Sequence, residues 1–133
     1  MLNLFPTMFL ALLAYATLRV FVGSSLLYLA YRHCFKDRND LAHAYKKHLP
    51  VLGIYGALLL GVLEAVLGAM LFVGFFTQAA AIGCVALSLC MLIFRKRLAH
   101  RAVPEPMYYL LLLGASLSLF ITGAGALAFD LPL

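Results

Sequence analysis

Four long apolar runs in only 133 residues, at 7–31, 51–76, 77–94 and 107–129, limit the possible folds of this chain more than any other feature. Each is close to or beyond the roughly 20 residues that a helix needs to cross a hydrocarbon core. Packing all four inside a soluble domain would leave too little polar surface to cover them. Hydrophobic residues make up 65 % of the chain and charged residues 11 %, against roughly 25 % charged residues in an ordinary soluble domain. The expected class is therefore all-α: an integral membrane four-helix bundle, one domain over residues 1–133, with the lipid bilayer as its first partner.

The basic residues set an expected orientation. The connection at 32–50 holds Arg32, Lys36, Arg38, Lys46 and Lys47, and that at 95–106 holds Arg95, Lys96, Arg97 and Arg101, whereas the ends and the Gly74-Phe75-Phe76-Thr77 turn hold none. Positive-inside asymmetry puts both basic loops in the cytoplasm and both termini on the external side of a bacterial-type cell membrane. The formal charge of +5 is then accounted for by anionic headgroups, and no nucleic-acid partner is expected. Ala14-Tyr15-Ala16 has the spacing of a signal-peptidase site, but the apolar run continues past it, so the segment reads as a retained span.

The first basic loop carries a helical pattern of its own. Asp37 or Asp40 can cap a short helix in which Leu41, Ala44, Tyr45, His48 and Leu49 share one face, suited to the bilayer surface or to docking a partner. Leu41-Ala42-His43 recurs as Leu98-Ala99-His100, a weak hint of two related hairpins. Histidines 33, 43, 48 and 100 all read as loop residues, which leaves no span with an imidazole for haem, and no metal-ligand spacing occurs. Cys84 and Cys90, six residues apart on one helix, read as small apolar packers.

Inside the apolar runs, small residues mark the expected contacts between helices. Gly53, Ala57, Gly61, Ala65 and Ala69 recur every four residues, with Glu64 and Gly68 beside them. Ala16, Arg19, Gly23, Leu26 and Ala30 alternate three- and four-residue steps, and Gly114, Ser118 and Thr122 offer a small face on the last run. Together these faces close a compact bundle with its polar groups inward.

Arg19 and Glu64 are the ionisable residues near the middle of such runs, where a charge costs about 2.5–3.5 kcal/mol on insertion scales. Arg19 stands 12 residues before Tyr31 and Glu64 13 residues after Val51. At 1.5 Å per residue both lie about 18–20 Å from the loop side, so antiparallel packing is expected to pair them. Such a pair either fixes helix register or lines a polar, proton-handling pocket. Tyr28, Tyr31, Tyr55, Tyr108 and Tyr109 gather at the loop ends of their runs, as an aromatic belt or as a stacking site for a quinone.

Taken in order, these residues resemble the DoxX family of small four-span membrane proteins over nearly the whole chain. The resemblance rests on Arg19-x3-Gly23, then on Glu64, Gly68, Gly74, Thr77 and Ala79-Ala80, and on the close Gly123-Ala124-Gly125-Ala126-Leu127-Ala128-Phe129-Asp130. Ala124 and Ala128 stand where that family has proline and serine, Gln78 where it has arginine, and Ala30-Tyr31-Arg32-His33 where it has a Gly-x-x-Lys ending. The resemblance implies quinone-linked redox chemistry with no covalently bound cofactor. In that reading the chain is a membrane subunit of an oxidoreductase, partnered by redox subunits or by further copies of itself, with Arg19, Glu64, Tyr28, Tyr55 and Asp130 as its ligand-binding or proton-handling candidates. The alternatives are a non-catalytic assembly or scaffold protein and a small transporter.

Overall fold

The computed structural model describes residues 7–48, 53–94 and 103–123, all but a few of them helical, with no strand among them. Helix α1 spans Thr7–Tyr31 and runs directly into one π-helical turn, Arg32–Lys36. Helices α2 (Arg38–His48), α3 (Gly53–Val73), α4 (Thr77–Ile93) and α5 (Pro106–Thr122) follow. Two segments, Leu10–Lys36 and Tyr55–Val73, are long and apolar enough to cross a membrane; Thr77–Ile93 and Pro106–Thr122 are apolar but shorter.

The boundaries depart from the sequence expectation at two places. The first apolar helix does not stop at Tyr31, because the π turn carries it to Lys36. Arg32 Nε and Nη2 donate to Asp37 Oδ2 at 3.0 and 2.7 Å, and the Asp37 N–H donates to the Arg32 carbonyl at 2.7 Å. All three bonds join residues five apart, the spacing that a π turn brings together. The second run ends at Val73: Gly74 takes a positive φ of 78°, and the N–H groups of Gly74 and Phe75 both donate to the Met70 carbonyl, at 2.9 and 3.0 Å. This is the glycine-based close typical of helix C-termini.

Helices α1, α3, α4 and α5 pack as a ring, α1 on α3, α3 on α4, α4 on α5 and α5 back on α1. Their inward faces follow alternating three- and four-residue steps: Ala16, Arg19, Gly23, Leu26, Ala30 and His33 along α1 and its π turn, and Ala57, Gly61, Glu64, Gly68 and Leu71 along α3. A mean step of 3.5 residues keeps a face turned toward one neighbour, whereas strict steps of four drift round the helix. The every-four ridge expected on α3 drifts in this way: Ala57 and Gly61 are buried, Ala65 is half-buried and Ala69 faces outward. On α5 the inward residues are Tyr109, Leu112, Ser116 and Leu119. The expected small face is not among them: Gly114 and Thr122 are exposed, Ser118 is half-buried, and a Cβ on Gly114 would touch nothing within 4 Å.

Helix α2 forms where the loop pattern places it and lays fully buried Leu41 over Ala57 of α3, leaving Arg38, Asn39, Asp40, His43 and Lys46 exposed. Asp37 supplies its carbonyl to the Leu41 N–H at the start of α2, while its carboxylate is engaged by Arg32. Leu49, Arg95, Lys96, Arg97, Arg101, the Leu98-Ala99-His100 repeat and the closing motif with Asp130 lie outside the described residues, as do the side chains of Ala44, Tyr45, Lys47, His48 and Gly53.

Candidate functional site

Some polar groups of the bundle are buried inside it. Arg19, His33, Glu64, Thr77, Ser88 and Ser116 are buried, while Phe21, Leu59, Ile93 and Ile121 are among the large apolar side chains that face outward. Ser88 and Ser116 return their hydroxyls to their own helices, donating to the carbonyls of Cys84 and Leu112 at 2.7 and 2.6 Å. The acid and the imidazole bond to each other instead.

His33 Nδ1 lies 2.6 Å from Glu64 Oε2, with both side chains fully buried. The sequence places His33 in a loop; the structure places it on the helical continuation of α1, one step beyond Ala30 on the inward face. The expectation that no apolar helix offers an imidazole is therefore corrected. Glycines on either side of Glu64 allow the approach. A Cβ on Gly61 would stand 2.5 Å from Cys34 Sγ, and one on Gly68 3.0 Å from the Gly23 carbonyl oxygen. A Cβ on Gly23 would stand 2.8 Å from the Phe72 nitrogen, so α1 and α3 meet nearly backbone to backbone.

The same contacts explain why Arg19 is not the partner of Glu64. Gly23 faces Gly68 and Phe72, and His33 and Cys34 face Gly61, which fixes an antiparallel register. In that register Glu64 is level with Ala30, while Arg19, eleven residues earlier, lies roughly 15 Å away along the axis, at the level of the α3–α4 turn. Counting depth from the ends of the apolar runs fails because α1 continues past Tyr31 into the π turn and the first described turns of α3 are covered by α2. Arg19 is buried at its own level and has interactions of its own.

The tyrosine candidates separate as well. Tyr28 is 65 % and Tyr55 77 % exposed, so both face outward and neither lines the interior. Tyr108 and Tyr109, grouped with them on sequence, turn inward instead. Tyr109 is buried in the core beside Leu112, and its ring packs edge-on to that of Tyr108 at 5.4 Å. The Tyr108 hydroxyl is buried beside Ser25 and within electrostatic reach of Glu64 and Cys84. Asp130 lies outside the described residues. Cys84 is buried in the core next to Ser116, whereas Cys90 is exposed.

A 2.6 Å contact between an imidazole nitrogen and a carboxylate oxygen requires a proton between them. With one proton shared by the pair, His33 Nε2 is a bare acceptor; with two, Nε2–H is a donor opposite a charged carboxylate. His33 Nε2 and Glu64 Oε1 are both buried without a hydrogen-bond partner. The pair thus has one unused position on each side and can change from acceptor to donor by gaining a single proton. No group of three or more metal-ligating side chains occurs among the described residues.

The residue that sequence reading missed was nonetheless signalled. Extending the steps from Ala16 to Ala30 by three more residues arrives at His33, and the matching steps on α3 pass through Glu64. No protein-family model, no curated protein and no solved structure matches this chain.

Proposed function

We propose that this chain is a DoxX-like four-span membrane protein that binds a quinone-type ligand at the buried His33–Glu64 pair and exchanges a proton with it, as the membrane subunit of a redox system. The four-span reading is supported by the many large apolar side chains on the outside of the bundle, since a soluble monomer rarely exposes apolar surface on this scale. Helices α4 and α5, 17 residues each, are at the lower limit for a span.

One observation carries the ligand reading: a fully buried acid–imidazole pair at 2.6 Å with an unpartnered polar atom on each member. A quinone-type ligand interconverts carbonyl and hydroxyl oxygens as it takes up or releases electrons and protons. The doubly protonated pair presents Nε2–H to a carbonyl oxygen, and the singly protonated pair presents bare Nε2 to a hydroxyl proton. His33 and Glu64 can therefore receive or supply the proton, while a partner redox subunit serves as electron donor or acceptor.

A scaffold protein is the second reading. It is favoured by the glycine contacts at Gly61 and Gly68, which put the pair on the tightest helix–helix contact, where it would lock register. Titration of a short-chain quinone into the detergent-solubilised protein and its Glu64→Gln and His33→Leu variants separates the two. Saturable binding by the wild type, weakened in both variants and losing its pH dependence in Glu64→Gln, is expected of a ligand site. If none of the three proteins binds above the detergent background, the quinone reading fails and the scaffold reading replaces it.

A further inference from the structure

At the loop end of α1 a stripe of aromatic side chains faces outward, turned away from the inward face that carries Leu26, Ala30 and His33. Tyr28, Tyr31 and Phe35 follow one another at steps of three and four residues, which keep them on one side of the helix. Tyr31 is 59 % and Phe35 77 % exposed, and their rings pack together at 5.5 Å with a tilt of 32°. Two exposed cations, Lys36 and Arg38, come directly after the rings. Arg32 is bridged to Asp37, but neither Lys36 nor Arg38 enters an ion pair among the described residues. Over residues 32–48, Arg32, Lys36, Arg38, Lys46 and Lys47 stand against Asp37 and Asp40, a net charge of +3 with histidine neutral. At 1.5 Å per residue Tyr28 and Lys36 are no more than about 12 Å apart along the axis. A headgroup layer is about 5–8 Å deep on each side of the hydrocarbon, so the rings straddle its inner boundary when the cations stand within it.

We infer that this stripe is a binding site for an anionic phospholipid, with the phosphate on Lys36 and Arg38 and the glycerol and upper acyl chain along Phe35, Tyr31 and Tyr28. The inference rests on the four-span part of the reading above and is independent of the quinone site. Charge complementarity selects the headgroup. Two cations without a carboxylate partner attract a lipid of net negative charge, whereas a zwitterionic headgroup carries its own cation beside the phosphate. The rings select a lipid over a free phosphate, because an aromatic side chain at the headgroup boundary offers its apolar face to the acyl chain and, in tyrosine, a hydroxyl to the ester oxygens.

The test offers phosphatidylglycerol or phosphatidylcholine with identical acyl chains to the full-length protein in a non-ionic detergent and measures bound lipid by native mass spectrometry. The wild type is expected to hold phosphatidylglycerol at least about fivefold more tightly. Lys36→Gln and Arg38→Gln should each weaken phosphatidylglycerol about fivefold and leave phosphatidylcholine unchanged. Phe35→Ala should weaken both lipids at least about twofold, since its ring meets the part they share. Lys46→Gln, two turns along α2 from Arg38, should change either lipid by less than about twofold. Equal retention of the two lipids by the wild type overturns the inference and leaves the basic face to an acidic soluble partner. A loss in Lys46→Gln as large as in Lys36→Gln also overturns it, because the charge then acts diffusely, as does an unchanged affinity in Phe35→Ala. Binding of glycerol 3-phosphate as tight as that of the lipid would replace the lipid by a free phosphate. Should the variants fail to fold, the wild type decides alone: a phosphatidylglycerol preference undiminished at about 0.5 M salt overturns the inference. Release of the protein from membranes by alkaline carbonate would remove the four-span reading and this site with it, whereas retention there with equal lipid binding removes this site alone.

Discussion

His33 Nδ1 meets Glu64 Oε2 at 2.6 Å across the α1–α3 contact, just past the point where Arg32 ends the apolar character of α1. The acid in the apolar part of α3 is thus bonded to a residue at the helix end and not to the arginine buried deeper in α1. The π turn makes this possible. It continues the inward face of α1 past its apolar stretch, and the Arg32–Asp37 bridge spans it.

The first prediction is coupling between His33 and Glu64. Replacing either one by leucine leaves the other buried with its partner gone and should cost about 3–5 kcal/mol, whereas replacing both should cost clearly less than the sum. Equilibrium unfolding of the two single variants and the double variant measures this. Additive losses would show that the two groups stabilise the fold independently.

Arg19 and Glu64, by contrast, should act separately. Groups farther apart than about 7–10 Å with no shared partner add within about 0.3–0.5 kcal/mol, and the register separates these two by more than that. The same unfolding experiment on Arg19→Leu, Glu64→Leu and their combination tests it. A coupling of several kcal/mol would mean that the helices slide to a different register from the one described.

Glycine substitutions should divide by position. A Cβ at Gly23 would stand 2.8 Å from a backbone nitrogen, so Gly23→Ala forces α1 and α3 apart and should destabilise by about 1–3 kcal/mol. At Gly114 nothing lies within 4 Å, and Gly114→Ala should instead stabilise α5 by about 0.5–1 kcal/mol. Thermal melting of the two variants side by side is sufficient. Equal shifts in Tm would contradict the packing.

The fourth prediction concerns orientation. Lys46 is exposed on α2 among the basic residues that positive-inside asymmetry assigns to the cytoplasm. With Cys34, Cys84 and Cys90 replaced by alanine, a Lys46→Cys reporter should escape a membrane-impermeant thiol reagent in intact cells and react after lysis. Labelling of intact cells would invert the topology.

Much of the helical layout is readable from the residues. Long apolar runs give the four bundle helices, the Gly74 turn separates α3 from α4, and the steps from Ala16 to Ala30 define the inward face of α1. Boundaries are less readable, because a charged residue looks like the end of an apolar helix; Arg32 marks such an end, yet the helix continues through a π turn that no local pattern announces. Small residues mislead for a related reason. The spacing of Gly114, Ser118 and Thr122 describes a smooth face without saying which neighbour uses it, and the bundle turns Tyr109, Leu112, Ser116 and Leu119 inward instead.

By itself the sequence determined that the chain is helical and that Glu64, enclosed by apolar residues with glycines a turn to either side, must be buried and must find a partner. Which partner it finds was decided only by tertiary structure. Arg19 and His33 lie on the same inward face of α1, and the choice between them depends on how far α1 slides along α3. That displacement is set by the contacts of Gly23, Gly61 and Gly68 and by α2 covering the start of α3. These contacts join residues far apart in the chain, and a shift of a few turns leaves every local pattern intact while exchanging one base for the other.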